Sequence, residues 1–199
     1  MSNYKDGIDF VVVSYCKQDY VRLMVLSIMK FFKEVPFTIH VVVNYLNENE
    51  IALHKEMFKD NDKVVVLKGV DQSTTTLHGS QGEFTQSVPD TIGLIDSCSV
   101  AAGSHYGATG NNIGILSGTR KYVCVVDQDA IFLDKCADEL MKLADKYFFI
   151  SNRWDPGNIF RGLIEKGTCD GTWEDGIARV MLFFSKRDIY DEIQSENYV

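Results

Sequence analysis

Short apolar segments alternate with helical patterns along this chain, and that alternation limits the folds open to it. Six runs are rich in β-branched or aromatic residues and lack polar alternation, as strands buried on both faces do. Between several of them apolar residues recur at helical spacing, as in Val21, Met24, Val25 and Ile28. Strands alternating with helices predict a single α/β domain, with a mostly parallel central sheet of about six strands and helices on both faces. The predicted strands are residues 10–13, 39–43, 64–67, 122–126, 147–150 and 180–184.

The composition is that of a folded domain and excludes several classes of protein. The 199 residues include 20 Lys+Arg and 28 Asp+Glu, a formal net charge of −8. This acidic balance argues against a nucleic-acid partner, because phosphate contacts need clustered basic side chains. No apolar run approaches the roughly 20 residues of a membrane span. The five cysteines are odd in number and form no C-x-x-C pair, so we expect a reducing, cytoplasmic location.

Two aspartates directly follow one of the apolar runs. Residues 122–126 lead into Asp127, Gln128 and Asp129. Residues two apart in an extended chain point to the same side, so the two carboxylates are expected to converge while Gln128 faces away. The carboxyl end of a parallel strand is where open α/β sheets bind ligands, and Mn²⁺ or Mg²⁺ held there could bridge a diphosphate. A turn or helix-capping role is the alternative.

The same D-x-D pattern occurs a second time, at Asp60, Asn61 and Asp62. It lies in a polar run between a predicted helix and a predicted strand, where such residues are typical of a solvated turn. Context rather than pattern therefore distinguishes the two pairs.

Several polar residues lie near the expected ligand-binding edge. Ser14 and Tyr15 close the first strand and could hold a nucleobase, although Tyr15 could equally pack in the core. In the long Ser-, Thr- and Gly-rich stretch 69–109, predicted as a loop, His105 could donate to a phosphate or be structural. Asn112 could bind phosphate or cap a helix.

A second long stretch, residues 152–176, is rich in glycine and contains both tryptophans. Trp154 and Trp173 offer flat faces on which a sugar could stack, or they could anchor the loop. Glu174 and Asp175 follow at once and are either catalytic acids or a charged surface pair.

Taken in order, these segments resemble the GT-A nucleotide-sugar glycosyltransferases, especially the family-2-like inverting enzymes. The likeness is carried by the opening strand and helix, by the stretch that leads into the D-x-D motif, and by a motif similar to x-E-D. These segments are residues 8–15, 26–28, 103–114, 122–129 and 173–175. The chain also has a general likeness, on no single motif, to glycosyltransferase domains encoded by large algal (chlorella) viruses, which would imply the host cytoplasm.

The resemblance implies one GT-A domain over residues 1–199, with a nucleotide-binding part at about 8–130 and an acceptor and catalytic part at about 131–199. It implies metal-dependent transfer of a sugar, with inversion, from a nucleoside diphosphate to a hydroxyl of a glycan or other acceptor. In that family the last acid of x-E-D is the catalytic base, here Asp175, and Glu174 would orient it. The resemblance also implies a role for Gln128 in binding the nucleotide-sugar.

The chain departs from the family pattern after the second strand, where many members carry an acidic residue that contacts the nucleoside. Here that position is Asn44, which can both donate and accept a hydrogen bond. A uridine nucleotide is thus an expectation on family grounds alone. The alternatives are a non-catalytic nucleotide- or glycan-binding module and, ranked lower, a sugar nucleotidyltransferase, since residues 14–18 lack a basic Gly-rich loop.

Overall fold

The structure of the protein is a computed structural model that describes residues 4–15, 17–72, 74–79, 82–87, 107, 109–148, 150–151 and 182–195. Within these residues, strands alternate with helices for most of the chain, as the apolar pattern predicts. In chain order the elements are β1 (Lys5–Ser14), α1 (Gln18–Phe31), β2 (Phe37–Tyr45), α2 (Asn49–Met57), β3 (Val64–Asp71), β4 (Thr74–Gly79), β5 (Gly82–Ser87), α3 (109–117), β6 (Arg120–Asp127), α4 (Ala137–Ala144), β7 (Ile150–Ser151), β8 (Leu182–Lys186) and α5 (Arg187–Ser195).

The central sheet is mostly parallel and has the strand order β3-β2-β1-β6-β8-β7. The first four of these strands are mutually parallel, β8 runs antiparallel to β6, and β7 pairs antiparallel with β8. Because β7 has only two residues, the sheet consists of five full strands and one short edge strand rather than six full ones. The described strands β4 and β5 form a separate antiparallel hairpin.

Helices cover both faces of the sheet, because successive strand side chains alternate between two apolar cores. One core packs Phe10 and Val12 of β1 against α1, α2 and α4, and it buries the α1 stripe predicted from helical spacing. The other core packs Val11 against Ile115 of α3 and Tyr190 of α5. The predicted α/β architecture is therefore confirmed.

Two local predictions differ from the structure. Of the predicted strand at 147–150, Tyr147 and Phe148 are not in a strand, whereas Ile150 begins β7. Tyr147 donates its backbone N–H to the carbonyl of Leu143 and continues the last turn of α4, and Phe148 is 75 % exposed. Residues 69–109 are not one loop, since they contain the β4–β5 hairpin and the start of α3. The run of three threonines at 74–76 favours a strand because its side chains are β-branched.

A buried ion pair ties the amino end of β1 to the last helix. Asp9 accepts hydrogen bonds from Arg187 at 2.8 Å, from the backbone N–H of Arg120 at 2.7 Å and from His40 at 3.2 Å. Burial raises the pKa of Asp9, but these hydrogen bonds and the positive charges outweigh it, so the pKa lies below its ordinary value. Arg187 also donates to the carbonyl of Ile115, in the last turn of α3, and so joins three elements.

Candidate functional site

A cavity of about 340 Å³ lies at the carboxyl ends of the parallel strands. The strand order reverses beside it, because β2 lies on one side of β1 and β6 on the other. Open α/β sheets bind ligands at such a switch point, where the connecting segments diverge and leave a crevice. The lining consists of Val13, Tyr15, Asn44, Gln72, Gly107, Asn111, Val126, Asp127, Gln128 and Asp129.

The two aspartates reach the cavity by a turn rather than by strand alternation. Strand β6 ends at Asp127, whose carbonyl accepts the backbone N–H of Ala130 at 3.0 Å. The expectation that Gln128 faces away assumed an extended chain through Asp129, and this turn overturns it. All three residues of the Asp-Gln-Asp segment line the cavity.

The electrostatics of this pair favour a cation. Loss of hydration around the carboxyl of Asp127, and then the negative charge of Asp129, raise the pKa of Asp127 to about 6. Asp127 is nevertheless an exposed residue at the mouth of the cavity, so water still reaches it. A divalent cation there would relieve the repulsion between the two carboxylates.

Gln128 links the ends of two neighbouring strands across the cavity. Its Oε1 accepts the backbone N–H of Tyr15 at 2.9 Å. The register of β1 and β6 prepares this contact, because Val13 pairs with Asp127 where the two strands end. This hydrogen bond therefore holds Tyr15 and the Asp-Gln-Asp turn on adjacent sides of the same opening.

The chain that follows the turn is anchored in the core. The backbone N–H of Phe132 donates to Ser27 Oγ at 3.1 Å, and the Ser27 hydroxyl donates to the carbonyl of Met24 at 2.7 Å. The Phe132 ring packs edge-on against Phe32, with ring centroids 4.7 Å apart. The turn is consequently fixed from both ends, by β6 before it and by helix α1 after it.

Helix α3 approaches the strands closely because it carries glycine on the facing side. A Cβ on Gly110 would lie 2.8 Å and 2.9 Å from the two Cγ atoms of Val13, and a Cβ on Gly114 would overlap Val11. This packing turns Asn111 into the cavity, whereas the predicted Asn112 is exposed and absent from the lining.

Ser14 is placed outside the cavity, on the opposite face of the sheet from Val13 and Tyr15. His54 of α2 donates from Nδ1 to the carbonyl of Glu50 at 2.7 Å, so its Nε2 accepts the hydroxyl of Ser14 at 2.9 Å. Both Ser14 and His54 are buried. The structure thus gives the Ser14 hydroxyl a partner within the fold.

Sequence reasoning missed two polar residues of the cavity lining, Asn111 and Gln72. Other predicted residues lie outside the described ranges, and the structure says nothing of them. These are His105, Trp154, Trp173, Glu174 and Asp175.

The residues present fit a divalent cation of the kind predicted. Mg²⁺ and Mn²⁺ prefer oxygen ligands, and Mg²⁺ is commonly held by one or two carboxylates together with substrate phosphates and water. Asp127 and Asp129 supply two carboxylates in one cavity. Within the described ranges, no group of three or more His, Cys, Asp or Glu residues could enclose a metal by itself. Substrate phosphates and water would complete the coordination of such a cation.

The second D-x-D sequence provides a comparison within the same chain. Asp60 and Asp62 are exposed in the turn between α2 and β3, where Asn61 Oδ1 accepts the backbone N–H of Lys63 at 3.2 Å. This is the solvated turn that its polar surroundings predict.

Comparisons with known proteins identify the fold. No protein-family model matches the chain, and no curated protein matches it by sequence. The galactosyltransferase LgtC, solved with donor and acceptor sugar analogs, is similar to it with a TM-score of 0.54 and 13 % identity over 92 % of this chain. An active-site mutant of LgtC gives a TM-score of 0.51 at 14 % identity over 92 % of this chain and 59 % of the mutant. Residues 1–349 of TarS from S. aureus give 0.47 at 13 % identity, over 75 % of this chain and 36 % of that one.

The fold is accordingly the Rossmann-like α/β fold of the GT-A glycosyltransferases, as the likeness to LgtC shows. The chain spans 59 % of the length of LgtC. Across the described residues, no helix is both long enough and apolar enough to cross a membrane.

Proposed function

We propose that this chain is a metal-dependent inverting glycosyltransferase that moves a sugar from a nucleoside diphosphate, a uridine nucleotide in the first instance, to a hydroxyl acceptor. The observation that carries the proposal is the Asp127–Asp129 pair, set by a turn at the switch point of a GT-A fold. The pair carries repulsion that a cation bound to a diphosphate would remove. A glycan is the acceptor class we favour, and a hexosyl group the transferred sugar.

In the proposed reaction, two acidic residues bind the metal and two others act on the acceptor hydroxyl. Asp127 and Asp129 hold Mn²⁺ or Mg²⁺, which when bound neutralises the charge that develops on the diphosphate as it leaves. Asp175 takes the proton of the acceptor hydroxyl, and Glu174 orients it. The acceptor oxygen forms a bond to the anomeric carbon on the face opposite the breaking bond to phosphate, which inverts the configuration.

The pairing of β7 and β8 supports the proposal that Glu174 and Asp175 act at the cavity. Leu182, the first residue of β8, pairs with Val126, and Ser151, the last residue of β7, pairs with Phe183. The described ends that flank the stretch holding Asp175 therefore lie at the cavity edge of the sheet. Trp154 and Trp173 are proposed for sugar contacts and His105 for phosphate contacts, on the sequence alone. The predicted phosphate role of Asn112 is not carried into the proposal, because Asn112 is exposed and lies outside the cavity lining.

The nucleotide itself is proposed to lie along the described lining. Tyr15, Asn44 and Gln128 come from three different elements and meet in the cavity. Their amides and the aromatic ring suit a nucleoside, which has both polar edges and flat faces. The cytoplasmic location, a viral source and the division of residues 1–199 into two functional parts stay predictions.

Binding and turnover test the proposal separately. UDP, GDP and CMP are titrated by calorimetry with and without Mn²⁺, and UDP-sugars are then screened for UDP release with Mn²⁺ present. We expect Mn²⁺-dependent UDP binding and UDP release in the wild type, and loss of both in the double variant Asp127→Ala, Asp129→Ala. The matched control is Asp60→Ala, Asp62→Ala, which removes the same pattern from a solvated turn and should bind like the wild type.

Each remaining outcome selects a different function. Metal-dependent UDP binding without turnover on any sugar would favour the non-catalytic binding module. Release of pyrophosphate from a nucleoside triphosphate and a sugar phosphate would favour the nucleotidyltransferase. Full transfer activity in Asp175→Asn would remove that residue from its role as base, and unchanged UDP affinity in the double aspartate variant would refute the proposed site.

A further inference from the structure

Strand β3 carries a bulge where it passes Asn44. Val43 of β2 pairs with Lys68 and Tyr45 pairs with Asp71, so Asn44 faces two residues of β3 rather than one. The Asn44 Oδ1 accepts the backbone N–H of Val70 at 2.9 Å. A bulge of this kind bends the strand and redirects the side chains beyond it.

A glycine makes this arrangement possible. A Cβ on Gly69 would overlap both the Asn44 side-chain oxygen and the carbonyl of Val43. The buried Asn44 thus commits its carbonyl oxygen to the bulge. That oxygen is the only acceptor atom of its side chain.

The residue redirected by the bulge is Gln72. Its backbone N–H donates to the carbonyl of Tyr45 at 2.8 Å, which fixes the end of β3 against β2. The residue is only 7 % exposed and lines the cavity. A carboxamide side chain is thus held at the wall of the cavity, just beyond the end of β3. From this position a carboxamide can both donate hydrogen bonds to and accept them from a ligand in the cavity.

The position of Gln72 across the sheet selects the part of the ligand that it would meet. β3 lies three strand spacings from β6, which carries the aspartates, and at about 4.8 Å per spacing this is about 14 Å. With the diphosphate at the aspartates, an extended nucleoside diphosphate crosses β1 with its ribose and reaches β2 and β3 with its base. The ribose and the phosphates would lie nearer to β6.

We propose that Gln72 is the specificity-determining residue for the nucleobase of the donor. The inference rests on the proposed function and deepens it. A carboxamide presents a donor and an acceptor side by side, and a nucleobase edge offers the matching acceptor and donor. Gln72 reads that edge, while the aspartates hold the diphosphate irrespective of the base.

Calorimetry on two variants tests this, with UDP, GDP, CDP and ADP in the presence of Mn²⁺ and with pyrophosphate and Mn²⁺ as a ligand that has no base. We expect Gln72→Ala to weaken the binding of the preferred nucleotide about tenfold and to reduce the differences in affinity among the four nucleotides. Pyrophosphate affinity should not change. Gln18→Ala, which lies outside the cavity lining, is the matched control.

Gln72→Glu provides a readout that a merely structural role would not move. It keeps the size of the side chain but presents only acceptors. Guanine offers two adjacent N–H donors, so the affinity for GDP should rise relative to the affinity for UDP in this variant. Thermal melting of both variants establishes that they are folded.

The possible failures are distinguishable. If the wild type binds neither pyrophosphate nor any nucleotide with Mn²⁺, the proposed function fails and the inference fails with it. If the wild type binds nucleotides selectively and both Gln72 variants keep its ranking, the inference alone is overturned. Loss of pyrophosphate binding together with the nucleotides in Gln72→Ala would also overturn it, because it would mean a general structural role.

Discussion

Removing the charge of Asp127 should stabilise the protein when no metal is present. The pKa of Asp127 is raised from 3.8 to about 6 by loss of hydration and by the charge of Asp129. In a dry interior this difference would correspond to about 3 kcal/mol of destabilisation at neutral pH. Because Asp127 is exposed at the cavity mouth, water screens the repulsion, and about 1 kcal/mol is the expected cost. Asp127→Asn keeps the shape and removes this cost, which for a chain of 199 residues raises the Tm by about 2–4 °C.

The pH dependence follows from the sign of the shift. The folded state holds a proton on Asp127 up to about pH 6, whereas the unfolded state releases it near 3.8. The folded protein therefore binds more protons between these values, and its free energy of unfolding falls as the pH rises through them. The advantage of Asp127→Asn should be complete above about pH 6 and should shrink towards pH 4.

Thermal melting in EDTA at several pH values between 5 and 8 measures the difference in Tm between Asp127→Asn and the wild type. Asp60→Asn, in an exposed turn, is the control. With excess Mn²⁺ the wild type should melt at a higher temperature than Asp127→Asn. Metal binding stabilises the folded state only of the protein that retains both carboxylates. Equal melting temperatures of wild type and Asp127→Asn in EDTA at pH 7.5, or a difference that grows as the pH falls, would refute the reasoning.

Two further substitutions test the framework of the site. Gly110→Ala should lower the free energy of unfolding by about 1–2 kcal/mol, because its Cβ would lie under 3 Å from Val13, an overpacking only partly offset by better helix propensity. Gly107→Ala, whose Cβ meets no described atom within 4 Å, should be neutral in the same urea titration. Arg187→Met should cost about 3–5 kcal/mol, because it leaves Asp9 charged and buried without its closest cation. Urea unfolding near pH 7 checks this, and a loss under 1 kcal/mol would contradict it.

The apolar pattern predicted the sheet well where strands are buried on both faces. β1, β2, β3 and β6 were each recognised, because a continuous β-branched run has few other uses in a chain of this size. The pattern failed for Tyr147 and Phe148, whose aromatic side chains follow a helix and are exposed, whereas Ile150 does pair with β8. Apolar character alone does not distinguish a strand from an exposed helix end.

The spacing of the glycines in α3 indicates which of its two adjacent asparagines faces the cavity. Each residue advances a helix by about 100°, so Gly110 and Gly114 share a face and Asn112 lies about 180° from it. A glycine face in close contact with the strands would therefore have assigned Asn111, not Asn112, to the cavity. The rotation of the helix was implicit in the spacing of its glycines.

Gln72 could not be assigned to the cavity from its own sequence position. A lone glycine inside a strand pattern is a signal for a bulge, and Gly69 is such a residue. The direction of the side chains after a bulge depends on what closes it, here the side chain of Asn44. That contact joins positions 26 residues apart, and no local pattern predicts it.

The contacts that hold the Asp-Gln-Asp turn are the strongest argument that it exists for a ligand. Tyr15 and Gln128 meet across 113 residues of sequence, and Ser27 and Phe132 across 105. These contacts stabilise the fold by fixing the turn, yet they also keep Asp127 and Asp129 close enough to repel each other. An asparagine at 127 would satisfy the turn equally well and avoid the repulsion, since the hydrogen bond from Ala130 uses only the backbone of that residue. A rigid frame around an unfavourable charge pair is therefore better explained by a bound cation than by stability.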